Sequence, residues 1–205
     1  VGTGPHKTIA VAASGGSDSM ALCLLMNTWA KNNQCKLVAL TVDHRLREDS
    51  LKEAQTVQKW MKLQRIDHHI LTWDHSPITT GIQKKAREAR YELLTNFCHQ
   101  NNIKTVCTAH HEADQLETFL MRLSKGSGLE GLSVMKIRSV WNNITIARPL
   151  LSTQPEVLKQ YLQTVSQEYI QDPSNNDLKF ERVQWRTLLT NMNEQGLSMK
   201  QFPQS

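Results

Sequence analysis

A short run of serines and glycines near the start of the chain has the composition of an anion-binding loop. The run Ser14–Ser19, which reads SGGSDS, lies between an apolar segment and an amphipathic one. Gly15 and Gly16 let the backbone turn sharply and approach a ligand closely because they lack a Cβ atom. The serine hydroxyls and the free N–H groups at the start of the next helix would donate to a phosphate. Because the run lacks the lysine and the spacing of a Walker A loop, it predicts another kind of phosphate site.

Asp18, inside this SGGSDS loop, is a candidate magnesium ligand. Magnesium in proteins prefers one or two carboxylates together with phosphate oxygens, so a single aspartate beside a phosphate site is chemically sufficient. The plainer alternative is that the loop is a simple turn and that Asp18 caps the N-terminus of the helix.

Cationic side chains follow the predicted second strand and line a predicted helix. His44 lies in the run VDHRLR, at the carboxyl end of a strand, where open α/β sheets bind ligands. Gln83, Arg87 and Arg90 recur at helical spacing and form one stripe with two guanidinium groups. Arginine binds phosphate or carboxylate through two donors at once. A solvent-exposed helix face is the alternative interpretation of this stripe.

Two carboxylates three residues apart, Asp114 and Glu117, open another predicted helix in the run TAHHEADQLET. They project from one side of the helix, where they would bind a cationic amine or a hydrated Mg²⁺. His110 and His111 precede them without the HExxH spacing of a zinc protease. The alternative is an acidic first turn that offsets the helix dipole. A basic, glycine-rich turn follows at 122–132, where Arg122 and Lys125 could approach a nucleic-acid backbone or belong to a plain helix C-cap.

The elements that must position these residues alternate between strand and helix. Apolar, β-branched runs predict strands over 8–13, 36–42, 68–73 and 104–109, and helical spacing predicts helices over 18–30, 47–63, 82–101 and 112–123. A hairpin is predicted at 136–148, turning at Asn142–Asn143. Further helices are predicted over 156–166 and 180–190, separated by a break at Asp172–Asn175. This order predicts an α/β fold, a mainly parallel twisted sheet with helices on both faces and a C-terminal helical appendage.

Composition sets limits without identifying a function. The 205 residues carry a net charge of +5, and 39% of them are hydrophobic, which is ordinary for a soluble globular protein. We expect a cytoplasmic protein without a secretory signal or membrane association, because no apolar run is long enough to cross a bilayer. The four cysteines form no CxxC pair and are expected to be free buried thiols in a reducing compartment.

Seven motifs in order resemble one family. The SGGSDS loop matches the PP-loop of the ATP pyrophosphatase superfamily, which shares a Rossmann-like fold, and the full set is similar to the catalytic domain of tRNA(Ile)-lysidine synthetases. The set comprises SGGSDS, VDHRLR, QKKAREARY, TAHHEADQLET, RLSKGSGLEGL, ARPLL and DPSN. The resemblance implies an enzyme that adenylates the C2 oxygen of the wobble cytidine in an isoleucine tRNA with a CAU anticodon. Free lysine then displaces AMP to leave lysidine.

The resemblance also implies roles for individual residues. ATP would be bound by Ser14, Gly15, Gly16, Ser17, Asp18, Ser19 and His44, with Mg²⁺ on Asp18. The catalytic residues would be Asp18, Arg87, Asp114, Glu117 and His110. Lysine or tRNA would contact Asp114, Glu117, Arg122, Lys125, Arg182 and Arg186. The expected cofactors are therefore ATP and Mg²⁺, and the expected partners are the isoleucine tRNA and free L-lysine.

The resemblance further suggests a division of the chain. We expect a PP-loop catalytic core over 1–150 and a helical extension of the same domain over 151–205, with the family's further tRNA-binding domains absent. Gln115 stands where many relatives carry a second acidic residue. Three alternatives remain open: another PP-loop tRNA-modifying enzyme such as a thiolase, a small-molecule adenylating ligase such as NAD synthetase, and a non-catalytic ATP-binding module.

Overall fold

The computed structural model describes residues 7–76, 78–128, 133–171, 179 and 181–195. The strands are β1 (Thr8–Ala12), β2 (Lys36–Asp43), β3 (Asp67–Thr72), β4 (Thr105–Cys107), β5 (Arg138–Trp141) and β6 (Ile144–Ala147). The helices are α1 (Ser17–Asn32), α2 (Ser50–Leu63), α3 (Ile82–Gln100), α4 (Glu112–Ser124), α5 (Pro155–Thr164) and α6 (Glu181–Glu194). Every strand and helix predicted from the sequence is present within a few residues of its expected bounds. The predicted break at Asp172–Asn175 lies outside the described residues.

The strands form one six-stranded sheet in the order β3-β2-β1-β4-β6-β5. Neighbouring strands from β3 to β6 pair in parallel, and β5 pairs antiparallel to β6. Asn142 and Asn143 both adopt positive φ, at 46° and 58°, as a two-residue type I′ hairpin turn requires. The structure thus confirms the mainly parallel sheet and its hairpin.

Apolar side chains are buried on both faces of the sheet. Along β1, Ile9 and Val11 pack with α1, α2 and α5, whereas Ala10 packs with α3 on the other face. This alternation is the period of two expected for a strand between two helical layers. Burying each large aliphatic side chain contributes about 1.5–3 kcal/mol, so the two clusters fix the sheet firmly between its helices.

The C-terminal helices pack against different parts of the fold. Leu158 and Leu162 of α5 are buried in the same cluster as α1, whereas α6 packs against α4. The division of the chain at residue 150 stays a prediction. Across the described part of the chain, none of the helices combines the length and apolar character needed to span a membrane.

One boundary difference lies at the start of α2, which begins at Ser50 rather than at residue 47. The buried carboxylate of Asp43 accepts hydrogen bonds from the Arg45 backbone N–H at 3.0 Å and from the Ser50 hydroxyl at 2.7 Å. Because the chain folds around this carboxylate, residues 45–49 form a loop and Arg45 adopts a φ of 51°.

Candidate active site

The SGGSDS loop connects the carboxyl end of β1 to the first turn of α1. Ser19 is buried, and its hydroxyl accepts from the Ser14 N–H and Ser14 Oγ, both at 3.1 Å, and donates to the Gly16 carbonyl at 3.0 Å. Ser19, which was predicted to bind ATP, therefore stabilises the loop through hydrogen bonds within the loop itself. Ser14 is exposed and Ser17 is half-buried, so both hydroxyls remain at the surface of the loop.

Gly15 occupies a position that admits no side chain. Its φ is +90°, in the left-handed region, and a Cβ atom there would lie 2.7 Å from Ile170 Cδ1 and 2.8 Å from Val57 Cγ2. The Gly15 carbonyl also accepts a hydrogen bond from the Ile170 N–H at 2.8 Å. The chain after α5 thus holds the loop in place. No local sequence pattern predicts this contact, because residue 170 is distant along the chain.

The start of α1 can bind an anion through its backbone. Gly16 is the N-cap residue, with extended backbone dihedrals, and within the described residues no side chain caps this end of the helix. The first intrahelical hydrogen bond joins the Met20 N–H to the Gly16 carbonyl, which leaves the N–H groups of the first turn available to a ligand. The alternative that Asp18 is the N-cap is wrong, because Asp18 lies within that turn.

His111 lies between the loop and the second acidic site. Its Nε2 is 3.5 Å from Asp18 Oδ2 and its Nδ1 is 3.6 Å from Asp114 Oδ2. Burial alone would lower the pKa of His111, but the hydrogen bond to Asp18 and the charges of Asp114, Asp18 and Glu117 raise it. Burial would raise the pKa of Asp18, but His111 lowers it. The Asp18 carboxylate is therefore held in the charged form that a magnesium ligand requires.

Asp114 and Glu117 project from one side of α4, as predicted, and both are buried. Asp114 Oδ2 also accepts the His111 backbone N–H at 3.0 Å, which fixes the N-terminus of α4. This capping contact explains how a carboxylate with almost no solvent exposure keeps a defined position. Among the described residues, no three His, Cys, Asp or Glu side chains cluster as a metal site would require.

Two arginines of α6 neutralise this carboxylate pair. Arg186 Nε lies 2.8 Å from Glu117 Oε1, and Arg182 Nε lies 3.2 Å from Glu117 Oε2. Arg182 also approaches Asp114 Oδ1 at 3.8 Å. Burial would lower the pKa of Arg186, but the hydrogen bond to Glu117 raises it. These four residues, Asp114, Glu117, Arg182 and Arg186, are called the charge cluster below.

In the charge cluster, two carboxylates are paired with two guanidinium groups. Arg182 and Arg186 were predicted to contact lysine or tRNA, and the structure places their guanidinium groups against Asp114 and Glu117. A buried pair of carboxylates keeps its charge only when cations or hydrogen-bond donors surround it. The same pair could therefore accept the ammonium group of an amine substrate in place of a guanidinium.

His44 follows β2 and His110 follows β4, and arginines of α3 act electrostatically on both. His110 Nδ1 lies 3.0 Å from the Thr108 hydroxyl. Burial, together with the charges of Arg148, Arg87 and Arg90, lowers the pKa of His110 to about 4, although Asp114 opposes the shift. Burial and the charge of Arg90 similarly lower the pKa of His44 to about 4. Both imidazoles are therefore neutral at pH 7, and the lowered pKa makes each of them a weak base.

Arg122 and Lys125 lie apart from these groups, at the C-terminal end of α4. Arg122 donates to the Ser133 carbonyl, and Lys125 Nζ is 2.8 Å from Glu181 Oε2. Gly126 has a φ of +69° and its N–H donates to the Leu123 carbonyl, while the Ser127 N–H donates to the Arg122 carbonyl. This is the Schellman arrangement of a helix C-cap, so the plainer interpretation of the start of the turn is correct. Residues 129–132 of this turn lie outside the described residues.

The structural roles of two buried residues, His111 and Arg148, were not predicted from the sequence. His111 was considered as a zinc ligand, for which the spacing is wrong, although its contacts on both sides join Asp18 to Asp114. Arg148 of the ARPLL run is buried, donates to the Lys136 carbonyl at 2.8 Å and the Ser139 hydroxyl at 3.0 Å, and so fastens β6 to the segment before β5. The signal for Arg148 is a single arginine directly after an apolar strand, where a buried charge needs local acceptors.

Comparisons with known proteins show which family this chain resembles. A protein-family model described as a PP-loop domain matches residues 2–193. The tRNA(Ile)-lysidine synthase of Wolbachia pipientis wMel is 46% identical over 186 residues, which is 90% of this chain and 43% of that protein. The enzyme of the same name from Orientia tsutsugamushi is 44% identical over 91% of this chain and 42% of its own length. The chain thus spans less than half the length of these curated relatives, and its predicted resemblance to them is confirmed.

A solved structure shows the same fold at low identity. The U34-tRNA thiolase NcsA from Methanococcus maripaludis, with its [4Fe-4S] cluster, superposes with a TM-score of 0.79 at 15% sequence identity. The match covers 94% of this chain and 68% of the thiolase. At this identity the comparison establishes the shared α/β architecture alone.

Proposed function

This chain belongs to the PP-loop domain family, and we propose that it carries the catalytic site of a tRNA(Ile)-lysidine synthetase. The observation that carries the proposal is the arrangement around His111, which joins an anion-binding loop to a buried pair of carboxylates. A reaction that uses ATP and an amine needs one site for phosphate and one for ammonium, side by side. The similarity to relatives named tRNA(Ile)-lysidine synthase selects the substrates.

In the first step, the C2 carbonyl oxygen of the wobble cytidine attacks the α-phosphorus of ATP and pyrophosphate leaves. The SGGSDS loop binds the departing phosphates through the N–H groups of α1 and the hydroxyls of Ser14 and Ser17. Arg87 stabilises the charge that accumulates on the α-phosphate. A magnesium ion on Asp18 would neutralise the phosphates, and the charged state of that carboxylate fits such an ion.

In the second step, the ε-amine of lysine attacks C2 of the adenylated base and AMP leaves with the C2 oxygen. The amine reaches the site as an ammonium ion and must lose protons before and after attack. Asp114 and Glu117 bind and orient it. After the attack, when the nitrogen has become far more acidic, the neutral imidazole of His110 passes its proton on to water. Because arginines already occupy these carboxylates, the ammonium group exchanges with a guanidinium rather than entering an unpaired acidic site.

The cysteines favour this assignment over thiolation. Burial raises the pKa of Cys23, Cys98 and Cys107 to about 12, so these thiols are protonated and unreactive at neutral pH. Cys35 is the fourth cysteine of the chain and lies apart from the SGGSDS loop, at the amino end of β2. A sulfur-transferring site at the loop would need reactive thiolates there.

Incorporation of labelled lysine into an isoleucine tRNA transcript with a CAU anticodon tests the proposal directly. We expect incorporation that requires ATP and Mg²⁺, together with release of one pyrophosphate for each lysine. A transcript with a CAU-to-GAU change in the anticodon is the matched control and should stay unlabelled. Pyrophosphate release without lysine incorporation would leave adenylation standing and contradict the assignment of the charge cluster. Absence of both activities would contradict the proposal as a whole.

A further inference from the structure

A run of stacked cationic and aromatic side chains extends from the candidate active site along α3 to the edge of the sheet. Arg87 Cζ lies 5.1 Å from the centroid of the Tyr91 ring. Tyr91 in turn stacks on Trp141 of β5, with ring centroids 5.3 Å apart and planes inclined by 30°. Lys84 precedes Arg87 by three residues and Tyr91 by seven, so it lies on the same side of α3. We call Lys84, Arg87, Tyr91 and Trp141 the α3 stripe.

The two ends of the α3 stripe differ in their surroundings. Arg87 lies in the first half of α3, which follows the carboxyl end of β3, so the cationic end is at the same edge of the sheet as the SGGSDS loop after β1. Trp141 lies on β5, which is the edge strand of the sheet, and the residue is 39% exposed. Tyr91 lies between Arg87 and Trp141. It is 5% exposed and its ring packs against both side chains.

The position of Trp141 is fixed by the fold. The hairpin turn that follows it is tied to the end of α3, because His99 Nε2 lies 2.7 Å from the Asn142 carbonyl. With one ring face packed on Tyr91, the indole presents the remainder of its surface at the edge of the sheet. A rigid aromatic surface of this kind loses little conformational entropy when a ligand stacks on it.

We propose that the α3 stripe docks single-stranded RNA next to the base being modified, with a nucleobase stacked on Trp141 and a phosphate bound by Lys84. Exposed aromatic rings alternating with cations are the recurring means of binding unpaired nucleic acid, because every base offers a face for stacking and every linkage carries a charge. The inference rests on the proposed function for its substrate but adds a surface outside the SGGSDS loop and the charge cluster.

The excess of positive charge near β5 favours RNA over a protein as the ligand of this edge of the sheet. The first half of α3 carries Lys84, Lys85, Arg87 and Arg90 against the single acidic residue Glu88. The strand segment 136–141 adds Lys136 and Arg138 without any acidic residue. A protein strand added to β5 would be attracted by its exposed backbone but would gain nothing from this excess of cations, whereas a polyanion gains from each of them.

Direct binding of RNA tests the inference. The probe is a fluorescein-labelled anticodon stem-loop with a CAU anticodon, titrated with the 205-residue chain without ATP or lysine. We expect Trp141→Ala to raise the Kd about 5- to 100-fold and Trp141→Phe to retain most of the affinity, because stacking on an aromatic ring is worth about 1–3 kcal/mol per base. Thermal unfolding of each variant monitors folding.

A charge variant supplies an independent measurement. Lys84→Gln should weaken binding and reduce the slope of log K against log salt by about one, as expected when one phosphate contact is lost. The matched control is Lys59→Gln, an exposed lysine of α2 on the opposite face of the sheet. It should change neither the Kd nor the salt slope.

The outcomes separate the two proposals. Equal Kd values for wild type, Trp141→Ala and Lys84→Gln would overturn the RNA surface, as would absence of stem-loop binding by the wild type. Loss of self-association in Trp141→Ala, seen by sedimentation, would also overturn it in favour of a second copy of the chain. If Trp141→Ala lowers the affinity for RNA while the wild type incorporates no lysine into tRNA, the surface stands and the proposed function fails.

Discussion

The SGGSDS loop and the charge cluster contact the two ring nitrogens of His111, but different forces hold them in place. The loop is shaped by its backbone, by the Ser19 hydroxyl and by the apolar contact of Gly15 with Ile170 and Val57. The charge cluster is held by ion pairs between two helices that are far apart in sequence. Packing of the first kind permits one geometry, whereas ion pairs can exchange one cation for another.

This difference matches the two ligands of the proposed function, a phosphate chain and an amine. A phosphate chain has the same shape in every turnover, so a preorganised backbone site costs no rearrangement at the moment of reaction. An ammonium group arrives on a flexible side chain and must be bound, deprotonated and consumed. A cluster that already balances charge with guanidinium groups can exchange them for the substrate without leaving a carboxylate buried alone.

The largest expected effect belongs to the loop. Asp18→Asn removes the one carboxylate of the SGGSDS loop while keeping its size, and we expect pyrophosphate release to fall by about 10³-fold or more. Asp74→Asn, at an exposed ion pair with Arg45, is the matched control and should retain full activity. Unchanged pyrophosphate release in Asp18→Asn would show that the SGGSDS loop does not take part in the reaction.

Packing of the loop predicts a second effect, on stability as well as on ATP affinity. Gly15→Ala forces a Cβ atom against Ile170 and Val57, and we expect the free energy of unfolding to fall by about 2–4 kcal/mol, with weaker ATP binding. Gly126→Ala is the control, since Gly126 also has a positive φ but nothing lies within 4 Å of its Cβ position. The free energy of unfolding of Gly126→Ala should fall by only about 1 kcal/mol. If urea unfolding shows that Gly15→Ala and Gly126→Ala lose the same amount of unfolding free energy, backbone strain and not packing restricts residue 15.

The charge cluster predicts a smaller effect confined to lysine. Glu117→Gln should raise the KM for lysine about 10- to 100-fold, because a hydrogen bond to a charged group contributes about 1.5–3 kcal/mol. ATP affinity and pyrophosphate release should change little, since the loop does not depend on Glu117. Glu112→Gln in the first turn of the same helix serves as the control. An increase in the KM for ATP equal to that for lysine would contradict the division of labour between the two regions.

The smallest expected effect distinguishes the adjacent histidines by pH. The folded-state pKa of His110 is lowered to about 4, so its contribution to stability is present above about pH 6.5 and is lost as pH falls toward 4. The folded-state pKa of His111 is raised, so its contribution is present below about pH 6.5 and is lost as pH rises through the folded-state value.

Urea unfolding across pH measures both contributions. His110→Gln should reduce the change of the unfolding free energy with pH below about pH 6.5, and His111→Gln should reduce it above that pH. Each reduction should be at most about 1.4 kcal/mol per pH unit. His69→Gln, which replaces an exposed histidine of β3, provides the baseline. Identical profiles for the two variants would mean that the contacts with Asp18 and Asp114 do not control protonation.

The sequence by itself determined the order of elements, the parallel sheet and the location of the SGGSDS loop. Each of these follows from local patterns: alternation in β1, helical spacing in α3, and Gly15 between a buried strand and a helix. The pair Asp114 and Glu117 could also be placed on one face of α4, because a spacing of three residues fixes that relation within any helix.

Only the tertiary structure decided what those residues face. Nothing in the run HHEAD distinguishes His110, whose pKa is lowered by burial and nearby arginines, from His111, whose pKa is raised by carboxylates on either side. Likewise, the contact of Ile170 with Gly15 and that of Arg186 with Glu117 join residues that are distant in the chain. Electrostatics and packing depend on distances through space, and local sequence patterns determine those distances only within a single element.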